Sequence, residues 1–212
     1  MLGGLMPLAG QEAGRPAPSV VALPKPAERG AVSLEEALQR RRSIRDYATR
    51  ELTGAELSQL LWAAQGITDP AGLRTAPSAG ALYPLEVYVA TRAGLHHYEP
   101  RGHQLVRVQD ADLRRALARA ALGQEAVAAA PALFIITAVP SRTAAKYGAE
   151  RARRYTQLEA GHAAQNLLLE ATALGLGAVP VGAFKDEDVT RILGLERGEM
   201  PLYLLPVGHP RR

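Results

Sequence analysis

The sequence predicts an α+β domain built on a mostly antiparallel central sheet flanked by helices, and three observations carry that prediction. Segments of strand character at 85–91, 131–139, 178–181 and 201–208 are not set in a regular strand–helix alternation. Two short strands around 95–99 and 104–108 are joined only by a turn near EPRGH, which is hairpin spacing. One long helix, from about 148 to 174, is apolar on more than one face, so it is buried on more than one side.

Taken in order, residues 1–30 are proline-rich without sustained periodicity and read as an extended or loosely ordered arm, leaving 31–212 as a single domain. SLEE at Ser33 is a capping-box pattern opening a helix that carries Leu34 and Leu38 and runs into RRRSIR. TGAE at Thr53 opens a second helix, with Leu57, Leu60, Leu61 and Ala64 on one stripe and Gly66 at its end. Residues 67–84 are turn-rich, and LEVYVAT alternates as a strand. Asp110 is placed to cap a helix carrying Leu113 and Leu117. PALFIITAV, bounded by prolines, reads as a fully buried strand, and AVPV and PLYLLPVG as two more. Asp186, Glu187 and Asp188 put negative charge at the start of a short helix. On the long helix, Leu158, His162, Gln165, Leu169 and Thr172 share one face, and Ala160, Ala164, Leu167, Ala171 and Leu174 another.

Composition limits the chemistry. The chain has 212 residues, 47% hydrophobic and 22% charged, with 20 Gly and 15 Pro, a folded globular composition of one domain or two at most. It has no cysteine, which removes disulfides, thiolate zinc sites, cysteine-ligated iron–sulfur clusters and redox dithiols, so any redox chemistry must come from a bound cofactor. This cysteine usage fits a reducing, cytoplasmic setting. The net charge of +4 favours anionic ligands without separating nucleic acid from a phosphate-bearing small molecule. The longest uncharged stretches, 126–139 and 171–184, are too short to span a membrane, and no basic residue precedes the apolar MLGGLMPLAG, which argues against a cleaved signal.

Several motifs fail. There is no Walker A, HExxH or GxSxG pattern, and GLGAVP has Pro where a dinucleotide fingerprint needs its third Gly. His96, His97 and His103 lack an acidic ligand at suitable spacing, so no metal site is expected. What stands out is Arg40, Arg41, Arg42 and Arg45 around Ser43. Arginine suits a helix C-terminus, yet so many guanidinium groups in one short segment repel one another unless an anion answers them, and their forks suit phosphate. APSAGALYP and GAVPVGAF are glycine-bearing turns beside strands. They serve either as tight packing turns or as places where backbone approaches a flat ligand.

RRRSIRDY, RTAPSAGALYPLEVYV, AAKYG, LEAGHAAQNLLLEATALGLGAVPVGAF and PLYLLPVGHP occur in this order. With them the sequence resembles the FMN-dependent nitroreductase superfamily over about residues 33–210, and most closely its SagB-type dehydrogenase branch, which includes azoline oxidases of thiazole/oxazole-modified peptide pathways. The resemblance implies a homodimer with two FMN sites at the interface, one FMN per subunit, and NAD(P)H as a possible electron donor. It places Arg41, Arg42 and Ser43, with Arg45 close by, at the FMN phosphate and ribityl chain. It places Pro77, Ser78, Ala79 and Gly80 in a loop beside the flavin, and Pro180, Val181, Gly182 and Ala183 against the isoalloxazine near N5. Gln165 and Asn166 match a buried polar pair on the central helix, and Lys146–Tyr147 matches the pair associated with azoline oxidation. Many relatives carry a C-terminal extension with basic residues for the phosphate. Here the sequence stops at Arg212, and the expectation is that His209 or Arg211 replaces that contact or that the contact is absent. The expected activity is hydride transfer through flavin N5, acting on a small-molecule or peptide substrate: SagB-type dehydrogenation, or general NAD(P)H-dependent nitro or quinone reduction. A basic nucleic-acid-binding protein is the reading from another class, although no RRM, KH or zinc-finger pattern accompanies RARR at 151–154.

Overall fold

Strand β5, Ala132–Ala138, is buried at every position, as its unbroken apolar run requires, and the rest of the sheet is laid out around it. The computed structural model describes residues 19–211, so the reading of MLGGLMPLAG, most of the arm, and Arg212 lie outside the described residues. The other strands are β1 Val20–Ala22, β2 Leu85–Thr91, β3 Gly94–Glu99, β4 Gln104–Gln109, β6 Gly177–Ala178 and β7 Met200–Gly208. They form a 7-stranded sheet in the order β1-β4-β3-β2-β5-β7-β6, with every neighbouring pair antiparallel. The expected α+β class and antiparallel sheet are what the structure has.

Alternation along the strands sorts the core onto two faces. Phe134 and Ile136 join Val87, Leu205 and Val207 under α2, Gly54–Gln65, and α6, Ala149–Ala173. Leu133 and Ile135 face the other way, against α3, Arg114–Ala120, α4, Glu125–Ala129, and α7, Asp186–Leu193. The remaining helices are α1, Leu34–Arg40, and α5, Ser141–Tyr147. Of the arm, β1 adds an edge strand to β4, and Ser58 of α2 donates to the Pro24 carbonyl at 2.5 Å.

The local chemistry explains most boundaries. Thr53 and Glu56 form the reciprocal capping box of α2. Gly66 closes that helix because a Cβ there would lie 2.2 Å from the Trp62 ring; its φ of −63° asks nothing of glycine. At Ser33 only half of the box forms, since Glu36 turns its carboxylate to Arg40. The first helix runs into RRRSIR and stops at Arg40, because Ile44 N–H goes to the Ala178 carbonyl at 3.0 Å and Ser43 bridges Ala178. Two expectations are corrected. Asp110 does not cap α3. It pairs with Arg107 at 2.5 Å, and Asp112 accepts from the Arg114 amide instead. The strand expected over 178–181 is confined to Gly177–Ala178, Pro180 having no N–H to continue a ladder; Val181 returns as an isolated bridge to Leu204.

The extended segment after α1 is held to the sheet by Tyr47. Its ring is buried, and its hydroxyl donates to the Ile44 carbonyl at 2.6 Å and lies 3.2 Å from the Pro206 carbonyl of β7. Burial pushes the phenol pKa well up, so it stays a donor. Tyr47→Phe is therefore expected to cost about 1–3 kcal/mol of stability by leaving buried carbonyls unpaired. Urea unfolding checks this, and an unchanged midpoint would show that the hydroxyl holds nothing.

Candidate active site

The singled-out residues fall into two groups. The first is built by backbone pairing at the C-terminal end of α6. Residues 43–48 run beside β6 and the chain end: Ser43 bridges Ala178, Tyr47 bridges Pro210, and Ala48 N–H donates to the His209 carbonyl at 2.8 Å. Gly177 makes this approach possible, since a Cβ there would lie 2.6 Å from Ile44 Cγ2. The segment carrying Arg41, Arg42, Ser43 and Arg45 is thus laid beside Ala178, from which the chain continues into Pro180, Val181, Gly182 and Ala183, and the Arg211 amide donates to the Asp46 carbonyl at 3.2 Å. Their states differ. Arg42 donates to the Gln39 and Arg41 carbonyls at 2.9 and 2.7 Å, the solvated-cap role. Arg211 is engaged by Asp46 at 3.4 Å and by the Tyr47 carbonyl at 3.3 Å. His209 lies 3.5 Å from Glu56. Arg41 and Arg45 have no carboxylate partner among the described residues, and Gly182 opens onto free space.

The second group gathers at the other half of α6. The Pro77–Gly80 loop, with a single 3-10 turn at Ala79–Ala81, sits over Tyr155, Leu158, Glu159 and His162 around a cavity of about 260 Å³. The loop backbone is strained. Gly80, Ala81 and Tyr83 have φ of 65°, 52° and 46°, a region that costs non-glycine residues of order 1 kcal/mol each. It is held by Tyr83 N–H to Ser78 Oγ at 2.9 Å, by Arg142 to the Tyr83 carbonyl at 3.1 Å, and by the Arg74 amide to Tyr83 Oη at 3.1 Å. Lys146 and Tyr147, the last residues of α5, close over Gly80. A Cβ there would meet Tyr147 Oη at 2.9 Å and Lys146 Nζ at 3.1 Å. Tyr147 stacks edge-on against Tyr155 at 5.3 Å.

Gln165 is exposed on α6, whereas Asn166 reaches inward and donates to the Thr75 carbonyl at 3.3 Å, so the pair is not jointly buried. The two groups do not meet within one chain. Fourteen residues of helix separate Glu159 from Ala173 at the end of α6, about 21 Å of axis at about 1.5 Å per residue.

Two residues with a place in this architecture were not singled out from sequence. Glu159 is 3% exposed, and its Oε1 has no partner among the described residues. Desolvation raises its pKa to about 7, against the opposing pull of the Ser78 hydroxyl and the Arg74 charge. Arg74 is half-buried beneath the loop, stacked 4.5 Å from the Tyr83 ring centroid and bonded to Gln65 at 2.7 Å, and desolvation lowers its pKa. The signal for Glu159 was its spacing: it lies three residues after Thr156 and four before Ala163, on the buried small-residue stripe. The clustered histidines play structural parts, His97 on Glu86 at 2.7 Å and His103 between Ser58 and Tyr98 at 2.7 and 2.9 Å.

Comparison with known proteins gives the family. The sequence profile of the Nitroreductase family matches residues 38–209. A Methanocaldococcus jannaschii protein named for that family is 48% identical over 183 residues, covering 84% of this chain and 91% of the relative. The NADPH-flavin oxidoreductase of Vibrio harveyi is 31% identical over 114 residues, 50% of this chain and 47% of that protein. A crystal structure of a Ralstonia eutropha JMP134 protein, also named for the nitroreductases, superposes with a TM-score of 0.84 at 31% identity, over 100% of this chain and 97% of that one.

Proposed function

This chain belongs to the nitroreductase family of oxidoreductases, and from that premise we propose that it binds FMN and passes a hydride between NAD(P)H and a small organic acceptor such as a nitroaromatic or a quinone. The observation that carries the reading is the first group: Arg41 and Arg45 without carboxylate partners among the described residues, the exposed Ser43, and a glycine turn at 182 that opens onto free space. These donors fit a phosphate monoester with a planar ring system against exposed backbone. FMN, once bound, supplies hydride acceptance and donation at N5. The protein's part is to fix the phosphate with Arg41, Arg45 and Ser43, to present the 180–183 backbone to the ring, and to keep water from the reacting face with the 77–80 loop.

The separation of the two groups along α6 supports a homodimer in which one protomer brings its 41–45 and 180–183 segments to its partner's 77–80 loop. Leu34, Leu38, Leu158 and Leu174 are 61%, 52%, 54% and 37% exposed in the single chain, an apolar surface that a second copy would cover.

A second reading, SagB-type dehydrogenation of an azoline, is favoured by Lys146 Nζ and Tyr147 Oη converging on Gly80. In that mode one of the two takes a proton while the hydride leaves the substrate carbon.

FMN titrated into the apo-protein should bind with bleaching by NAD(P)H and recovery on adding a nitroaromatic or quinone. Arg41→Ala should weaken FMN binding about 10- to 100-fold, the loss of a charge-assisted bond; unchanged affinity removes the phosphate assignment. Light scattering should report a dimer, and a stable FMN-bound monomer would refute the shared site. For the second reading, Tyr147→Phe should slow substrate oxidation by about 10²–10⁴-fold while leaving flavin reduction by NAD(P)H intact. Equal effects on both half-reactions would make Tyr147 a packing residue.

A further inference from the structure

Among the described residues, Glu159 is a buried carboxyl without an ion-pair partner. Glu159 lies on the face of α6 that packs into the chain, among Ala152, Thr156, Ala160 and Ala163, and it forms part of the wall of the cavity beneath Pro77–Ala79. The charged and titratable groups around it are few. Arg74 approaches from the segment after α2, but its guanidinium is held by Gln65 and the Tyr83 ring. Tyr155 and His162 share the cavity wall from α6, and Lys146 and Tyr147 of α5 stand across Gly80. No Lys or Arg forms an ion pair with Glu159 among the described residues. Ser78 lines the same cavity and is the hydroxyl whose pull opposes the rise of the Glu159 pKa.

Donor and acceptor counting then assigns Ser78 two states. A hydroxyl has one proton and two lone pairs, and the Tyr83 N–H occupies one lone pair at 2.9 Å. When Glu159 is ionised, it draws the Ser78 proton to itself. When Glu159 is protonated, it can donate to the second lone pair, and the Ser78 proton turns toward the cavity. We propose that Glu159 is a positioning residue which, by holding or releasing one proton, decides whether Ser78 donates a hydrogen bond to an acceptor oxygen or nitrogen of the ligand in this cavity. The proposal rests on the FMN reading for the identity of that ligand. No covalent step is involved: one proton is exchanged with solvent, and one hydrogen bond changes partner.

The direction follows from burial. The carboxyl pKa is pushed up to about 7, so the acid form, with Ser78 turned to the ligand, prevails below neutrality and is lost as pH rises through it. Glu159→Gln has no charge to draw the Ser78 proton and keeps an N–H donor at every pH, so it should behave throughout as the protonated wild type does.

The test uses FMN and the apo-protein, by flavin fluorescence, at pH values from about 5.5 to about 8.5. A phosphate monoester itself titrates near about pH 6, so the comparison is between proteins at each pH. Wild type and Glu159→Gln should match at low pH, and wild type should bind about 5- to 10-fold more weakly above about pH 8, the loss of one hydrogen bond. Ser78→Ala should bind weakly throughout, and adding it to wild type and to Glu159→Gln should erase the difference between them. A second readout needs no flavin. Infrared spectra of the apo-protein should show a protonated-carboxyl stretch that titrates near neutrality in wild type and is missing in Glu159→Gln. Parallel pH curves for the two proteins, or no such band, would overturn the inference alone. Absence of FMN binding at every pH would overturn the cofactor reading and this inference with it.

Discussion

The close seating of α6 on the sheet is the constraint from which the rest follows. Ala160, Ala163, Ala164 and Ala171 bring a helix backbone near the apolar face formed by Val87, Phe134, Ile136, Leu205 and Val207. Small side chains shorten the distance between layers, and each buried methyl group adds contacts on both sides. Because α6 touches α1, α2, α5, β2, β5, β6 and β7, fixing it also fixes the elements that carry the chemistry. Its first half supports the 77–80 loop and α5, and its end delivers the chain to Gly177, against which the arginine segment is laid.

Elements with their own local cause could be read from the sequence. Thr53 with Glu56, the alternation in 85–91, the unbroken run of β5 and the acidic start of α7 each state a structure within a few residues, and the observed boundaries follow them closely. What sequence did not disclose was set by partners distant in the chain. RRRSIR has helical character, yet its Ile44 amide is taken by the Ala178 carbonyl of β6, more than a hundred residues later. AVPV reads as a strand, but only the part before Pro180 can pair. The short α4 and α5 have too few residues to show a period, and they exist because their neighbours hold them.

The candidate site shows the same division. The glycines were visible, but their reasons were not: Gly177 is required by the Ile44 side chain and Gly80 by the heads of Lys146 and Tyr147. Sequence placed Arg41 to Arg45 as one basic cluster, whereas packing sorts them by role, Arg42 onto helix carbonyls and Arg41 and Arg45 outward. Glu159 escaped notice because a glutamate on a long helix is ordinarily a solvated residue, and only tertiary burial turns it into a weak acid near neutrality.

Strain and desolvation meet in one place. Ala81 and Tyr83 hold left-handed backbone, Glu159 and Arg74 each carry a buried polar atom without a partner, and all four border the same loop. Elsewhere among the described residues such costs are scattered, left-handed backbone at His103 and Leu122 and unpartnered buried atoms at Arg107 and His209. A fold retains such costs where the surrounding structure over-determines the geometry, and here that structure is the sheet side of α6 together with the Glu86–Arg142 pair that anchors α5 to β2. The opposite side of α6 is left open, with Leu158 and His162 uncovered beside the strained loop. One surface of the helix therefore provides the rigidity, and the other leaves apolar side chains uncovered beside the strained loop.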